Sequence, residues 1–150
     1  MEQYQHTQSG GLHCILIIAA AVFLGFAYFA PPEEQAWIRP LLVAVGGINI
    51  LLSLCFQAQT VRTTDQDLVV RFGPIPLFGR RIPLAKIEEV EPVRWSLLDG
   101  FGIHYVIGRG WTYNLWGFDL VRIRVGRSHV RVGTDDVEGL TGALRARIAG

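Results

Sequence analysis

Two long gaps in the charge pattern come first along the chain. Between Glu2 and Glu33, and again between Arg39 and Arg62, there is no Asp, Glu, Lys or Arg. Residues 12–30 read LHCILIIAAAVFLGFAYFA, and from Ile15 to Ala30 only Gly25 is not apolar. A helix of that length reaches roughly 28 Å, close to the thickness of a bilayer core. Residues 41–58 read LLVAVGGINILLSLCFQA, a weaker run interrupted by Gly46, Gly47, Asn49 and Ser53. The connector PPEEQAWIRP has a helix breaker at each end and carries Trp37, a residue that favours the headgroup zone. The pattern predicts an N-terminal tail (1–11) and a two-helix transmembrane hairpin (12–58, with helices 12–30 and 41–58). Small residues, Ala21 with Gly25 and the pair Gly46-Gly47, suit a close helix contact that Asn49 could hydrogen-bond across.

After Gln59 the period changes to two, with frequent turn signals. Strands are expected at 60–64, 67–74, 82–94, 102–108, 111–117, 120–125 and 129–134. The third is long and bent, because Pro83 and Pro92 cannot donate to a ladder. Arg109-Gly110 and Gly126-Arg127-Ser128 read as tight hairpin turns. Short connections between short strands imply an all-antiparallel barrel or a pair of packed sheets in a domain spanning 59–150. The end of the chain is helical. Asp135 and Glu138 stand at capping-box spacing, and Val137, Leu140, Leu144 and Ile148 share one face. Gly139 and Gly142 weaken this helix by about 1 kcal/mol each relative to Ala, so its apolar stripe has to dock, most naturally over an open barrel end.

Charge alters the picture through its distribution. The chain has 150 residues and 14 Lys+Arg against 13 Asp+Glu, with 18% charged where about 25% is usual. Only Arg39 among the basic residues precedes Arg62. Arg62, Arg71, Arg80 and Arg81 follow the second apolar run, so the positive-inside bias puts both termini in the cytoplasm. The first run lacks the basic flank and small-residue cleavage site of a signal peptide. The basic excess is too small and too scattered for a nucleic-acid domain. Cys14 and Cys55 lie in the apolar runs with no metal-ligand spacing, and both read as small buried hydrophobes.

The stretch TTDQDLVVRFGPIPLFGRRIPLAKIEEVEPVR resembles the core of bacterial pleckstrin-homology-like (PH-like) domains, through Phe72-Gly73, Ile82-Pro83-Leu84, Ile87 and Val90. The ending VGTDDVEGLTGALRARI is similar to their closing strand and helix. Membrane-anchored members often place a two-helix hairpin before the domain. The resemblance implies an all-β PH-like barrel of about seven antiparallel strands capped by a C-terminal α-helix, anchored in a bacterial cytoplasmic membrane. It also makes a homo-oligomer plausible, because some bacterial PH-like families assemble as rings. The function expected is a membrane-tethered interaction or scaffold module, with membrane lipids around the hairpin and a membrane-protein partner or further copies of the chain.

Candidate contact residues follow from the strand alternation. Arg122, Arg124 and Arg131 alternate with apolar residues on neighbouring strands, with Arg127 in the turn between them. A patch for anionic lipid headgroups is one reading, at about 1 kcal/mol for each Arg near the surface. A solvated face that also discourages edge pairing is the other and the favoured one. The basic first-hairpin motif of phosphoinositide-binding PH domains has no counterpart between Arg62 and Arg71, where Asp65 and Asp67 stand instead. Trp95 and Trp116 join an aromatic-rich middle, and one of them is expected to touch the bilayer or a partner. His104 and His129 have no nucleophile at a suggestive spacing, and Glu88, Glu89 and Glu91 read as a solvated strand face. No catalytic residue, cofactor or metal is therefore expected.

Overall fold

The structure, a computed structural model, describes residues 3–30, 37–94 and 100–148. Two helices, α1 (Leu12–Phe29) and α2 (Ile38–Cys55), are each long and apolar enough to cross a membrane, with mean hydropathies of 2.3 and 1.9. Only 11% and 17% of their residues are buried, so neither is the core helix of a soluble fold. Large side chains such as Ile18, Phe26 and Ile48 face outward. α2 starts three residues earlier than its apolar run, because Pro40 is tolerated in a first helical turn. That start brings Arg39 to the end of α1, where its guanidinium donates to the carbonyls of Ala27 (2.9 Å), Tyr28 (3.3 Å) and Ala30 (3.4 Å). The only basic residue before Arg62 thus satisfies carbonyls that the helix leaves orphaned.

The helix contact differs from the expected one. Ala20 and Ala27 are the buried residues of α1, and a Cβ on Gly46 would meet the Leu24 side chain at 2.8 Å. Gly25 and Gly47 have open space around them, and Ala21 is exposed. Asn49 bonds to Val45 O within its own helix (2.9 Å) rather than across the pair. Cys55 is buried, whereas Cys14 lies on the exposed surface of α1.

Among the described residues, nine strands form two sheets. The first has the order β1-β2-β3-β4, from β1 (Gln5–Ser9), β2 (Ala58–Thr63), β3 (Asp67–Gly73) and β4 (Gly79–Pro83). The second has the order β5-β8-β9-β7-β6, from β5 (Ile87–Arg94), β6 (Gly102–Val106), β7 (Gly110–Asn114), β8 (Asp119–Val125) and β9 (Ser128–Gly133). The two sheets do not close into one ring, so the expected barrel and its seven strands are corrected on three points. First, the supposed tail contains β1, antiparallel to β2 from Gln5↔Arg62 to Ser9↔Ala58. Second, the long strand 82–94 is two strands, separated by a 3-10 turn at Leu84–Lys86. Pro83 ends one, and Pro92 sits on β5, an edge strand whose outer side needs no donor. Third, β7 runs parallel to β9, Trp111↔Val130 to Tyr113↔Val132. β9 is bound to β8 by a tight hairpin, which leaves its other side to the β6–β7 hairpin arriving from beyond.

The core lies between the sheets. Val61, Leu68, Val70 and Phe72 from one side meet Val90, Val121, Ile123 and Val132 from the other. α3 (Val137–Ile148) packs against β5 and β8 and drives Leu140 and Leu144 into this core, both fully buried. Asp136, not Asp135, caps it, its Oδ1 accepting from Gly139 N at 3.0 Å. A Cβ at Gly139 would meet that carboxylate at 2.2 Å, so the glycine that weakens the helix is also what admits its cap.

Candidate functional site

The two ends of the helical hairpin are bolted to the β-domain. Only Gly10-Gly11 separate β1 from α1, and only Phe56-Gln57 separate α2 from β2. Trp116 covers the first joint. A Cβ at Gly10 would meet Trp116 Cβ at 2.5 Å, and one at Gly11 would meet the indole ring at 3.1 Å. The indole stacks on Phe101 (centroids 5.0 Å, planes 16° apart) and stays 41% exposed. At the second joint Phe56 stacks on Phe78 at 5.3 Å and meets Phe72 edge-on at 5.2 Å. Leu77, next to Phe78, and Phe118, two residues after Trp116, are both exposed.

β1 is held as firmly. The Tyr4 hydroxyl donates to Asp136 Oδ2 (3.0 Å), and burial together with that carboxylate pushes its pKa well above the usual phenol range. His6 Nε2 stands 2.5 Å from Asp135 Oδ1. Gln8 and Gln59 form a buried amide pair (3.2 Å). Gln59 also donates to Gly133 O (3.1 Å) and accepts from Leu115 N (2.9 Å), stitching β2 to the second sheet. Nothing in the alternation of QHTQS marks this strand. Its signal is the two glutamines, which only a partner strand makes useful.

The arginine face is not one surface. Arg122 is paired with Glu91, and that guanidinium lowers the pKa of the Glu91 carboxyl. Arg124 Nε lies 3.3 Å from both Glu88 and Glu89, which a register shift between Ile87 and Glu89 brings to one side of β5. The acidic cluster and the arginines thus neutralise each other across the β5–β8 ladder. Arg127 is exposed in the β8–β9 turn. Arg131 was expected to face outward but is only 4% exposed, because it stands inside the sheet between Arg122 on β8 and Thr112 on β7. His104 follows Thr112 on β6, so one polar row crosses the whole sheet. Trp95 lies outside the described residues.

Beside that row is a concavity of about 390 Å³, lined among the described residues chiefly by Arg94, Arg109, Arg122, His129 and Arg131. Arg94 and Arg109 read in the sequence only as a strand end and a turn residue; nothing local says that their neighbours in space are other cations. Among the described residues no three or more His, Cys, Asp or Glu are placed to hold a metal ion together. No protein-family model matches this chain, and no curated protein is detectably similar to it.

Proposed function

We propose that this chain is a membrane-tethered PH-like interaction module, a scaffold rather than an enzyme, held in the bacterial cytoplasmic membrane with both termini in the cytoplasm. The observation that carries the reading is the pairing of β1 with β2. These strands flank the hairpin, so the segments before α1 and after α2 belong to one sheet and share one side of the bilayer. Two-residue joints under Trp116 and Phe56 leave the domain no tether to swing on. A rigid, membrane-apposed platform is what a scaffold needs, and the part-exposed Phe78 and Trp116 at the two joints are of the aromatic kind favoured at headgroup depth. The β-sheet layout with a docked C-terminal helix supports the PH-like reading. Nine strands are reached by the addition of β1 and the division of 82–94 into β4 and β5, and the β6–β7 hairpin brings the one parallel pair. A homo-oligomer remains part of the proposal, though β4, one open edge, carries Arg80 and Arg81, charges that discourage strand pairing.

Headgroup binding by Arg122, Arg124, Arg127 and Arg131 acting as one face is the weaker alternative, because Arg122 and Arg124 are engaged by glutamates. Photoreactive side chains at Leu77, Ile107 and Arg127 of the full chain, irradiated in intact cells, separate the readings. The scaffold reading predicts a discrete protein adduct from one of these surfaces, a second copy included. Adducts to lipid alone, from all three positions, would contradict it.

A further inference from the structure

We propose that the outer face of the first sheet holds a binding site for the headgroup of an anionic phospholipid, in a concavity that opens where α2 enters the sheet. The concavity has a volume of about 420 Å³. Thr60 and Arg62 of β2, Arg71 of β3, Gln5 of β1 and Pro76 of the β3–β4 connection line it, together with Gln57, the second residue after α2. Strand alternation builds this face. Gln59, Val61 and Thr63 of β2 are buried inward, which turns Thr60 and Arg62 outward. In register Thr60 faces Arg71 and Arg62 faces Val69, so the two arginines stand on diagonal positions of one face.

Edge protection does not account for these charges, because β2 and β3 are the inner strands of the sheet. Nor are they balanced as the arginines of β8 are, where Glu88, Glu89 and Glu91 supply the counter-charge. Among the described residues no carboxylate lines the concavity. Asp67, on the same face of β3, stands at its far end across from Pro83. Arg62 Nε is buried and has no hydrogen-bond partner among the described residues, an arrangement that an acceptor oxygen relieves. A second hollow shares Arg71 and Pro76 and carries the cationic face on to Arg80 and Arg81. Guanidinium forks suit the several oxygens of a phosphate. Position makes that phosphate a lipid's, given the reading that α1 and α2 cross the bilayer. The 18 residues of α2 reach about 27 Å, close to the core thickness, so β2 starts near the core boundary. At about 3.3 Å per residue, Thr60 beside Arg71 lies no more than about 7 Å past Ala58, and Arg62 no more than about 13 Å. The headgroup layer is about 5–8 Å deep, so Arg71 stands within it and Arg62 closes the site from above. The volume admits a headgroup and leaves the acyl chains in the bilayer.

The test titrates the full chain in detergent with phosphatidylglycerol and with phosphatidylcholine of the same acyl chains, reading bound lipid by native mass spectrometry. The site predicts that the first phosphatidylglycerol binds at least about fivefold more tightly than phosphatidylcholine. Arg62→Gln and Arg71→Gln should each weaken phosphatidylglycerol about fivefold and leave phosphatidylcholine unchanged, while Arg127→Gln, in the β8–β9 turn, stays within about twofold. Arg71 is exposed, so its substitution keeps the fold, which an unchanged Tm without added lipid verifies. Glycerol phosphate, the same anion without chains, separates the sources. Displacement of the lipid only at a large excess supports a headgroup site; glycerol phosphate binding as tightly as the lipid overturns it in favour of a soluble ligand. Equal binding of the two lipids, a preference that the Arg62→Gln/Arg71→Gln double variant retains, or a loss as large in Arg127→Gln also overturns it. The membrane reading is checked separately by alkaline carbonate extraction of cell membranes. A chain that stays in the membrane but shows no lipid preference loses the site and keeps the tether, and a chain that is extracted loses the tether.

Discussion

Single side chains decide how this molecule is joined. Gln59 is fully buried, and its amide serves Gln8, Gly133 and Leu115 at once. Replacing it by Leu keeps the volume and orphans the buried Leu115 N–H, while Gly133 O and the Gln8 amide keep only their bond to each other (3.3 Å). At about 1–3 kcal/mol for an unsatisfied buried group, Gln59→Leu is expected to cost at least that much. Thr7→Val, at an exposed hydroxyl pair with Thr60, is expected to cost little by comparison. Thermal melts of the full chain in detergent check this, and equal Tm values for the two variants would remove Gln59 from the joint. Arg39 makes the same lesson in the membrane. Its charge counts as a loop residue in the positive-inside arithmetic, yet in the structure its donors close α1. Residue identity was legible for both; the partner was not, because each partner lies on another element.

At the scale of elements, what the pattern reveals is what burial repeats locally. Two charge-free runs suffice for α1 and α2, because lipid-facing helices are apolar on nearly every side. β3, β8 and β9 show period two because one face packs on the core. β1 escapes notice since it is a polar strand that docks by hydrogen bonds, and the turn at Leu84–Lys86 escapes because its sequence continues the apolar alternation. The parallel β7–β9 pair has no local signal at all, since strand direction is set by how the chain arrives. The arginine face was visible as alternation. Its neutralisation by Glu88, Glu89 and Glu91 depends on a register shift that no spacing rule predicts. α3 is the most legible element. Leu140 and Leu144, picked from helical spacing, are both fully buried, while Ile148 from the same stripe is 40% exposed beyond the contact. Leu144→Ala is expected to cost about 2–5 kcal/mol, enough to unfold or aggregate a small domain, whereas Arg147→Ala is expected to leave it folded. A Tm unchanged by Leu144→Ala in the full chain would mean that α3 is not docked.

For the whole molecule, the consequence of β1 is topological. A strand before the first membrane helix and a strand after the second are hydrogen-bonded neighbours, so an even number of crossings has to lie between them. Positive-inside bias reaches the same conclusion from charges on one flank alone, and the strand pairing supplies the support that the uncharged N-terminal segment lacks. A fragment starting near residue 59 would lose β1, Tyr4 and Gln8 together, which exposes the edge of β2 and takes one hydrogen-bond partner each from Asp136 and Gln59. The intact chain is therefore the unit to study. Single cysteines at Gln3, Glu34 and Ser128, in a chain with Cys14 and Cys55 replaced by Ala, test the central claim most directly when probed with a membrane-impermeant thiol reagent. The account predicts that position 34 reacts in intact cells, and that positions 3 and 128 react only after the membrane is opened. Labelling of 3 and 128 from opposite sides, or of 128 but not 34 from outside, would contradict it.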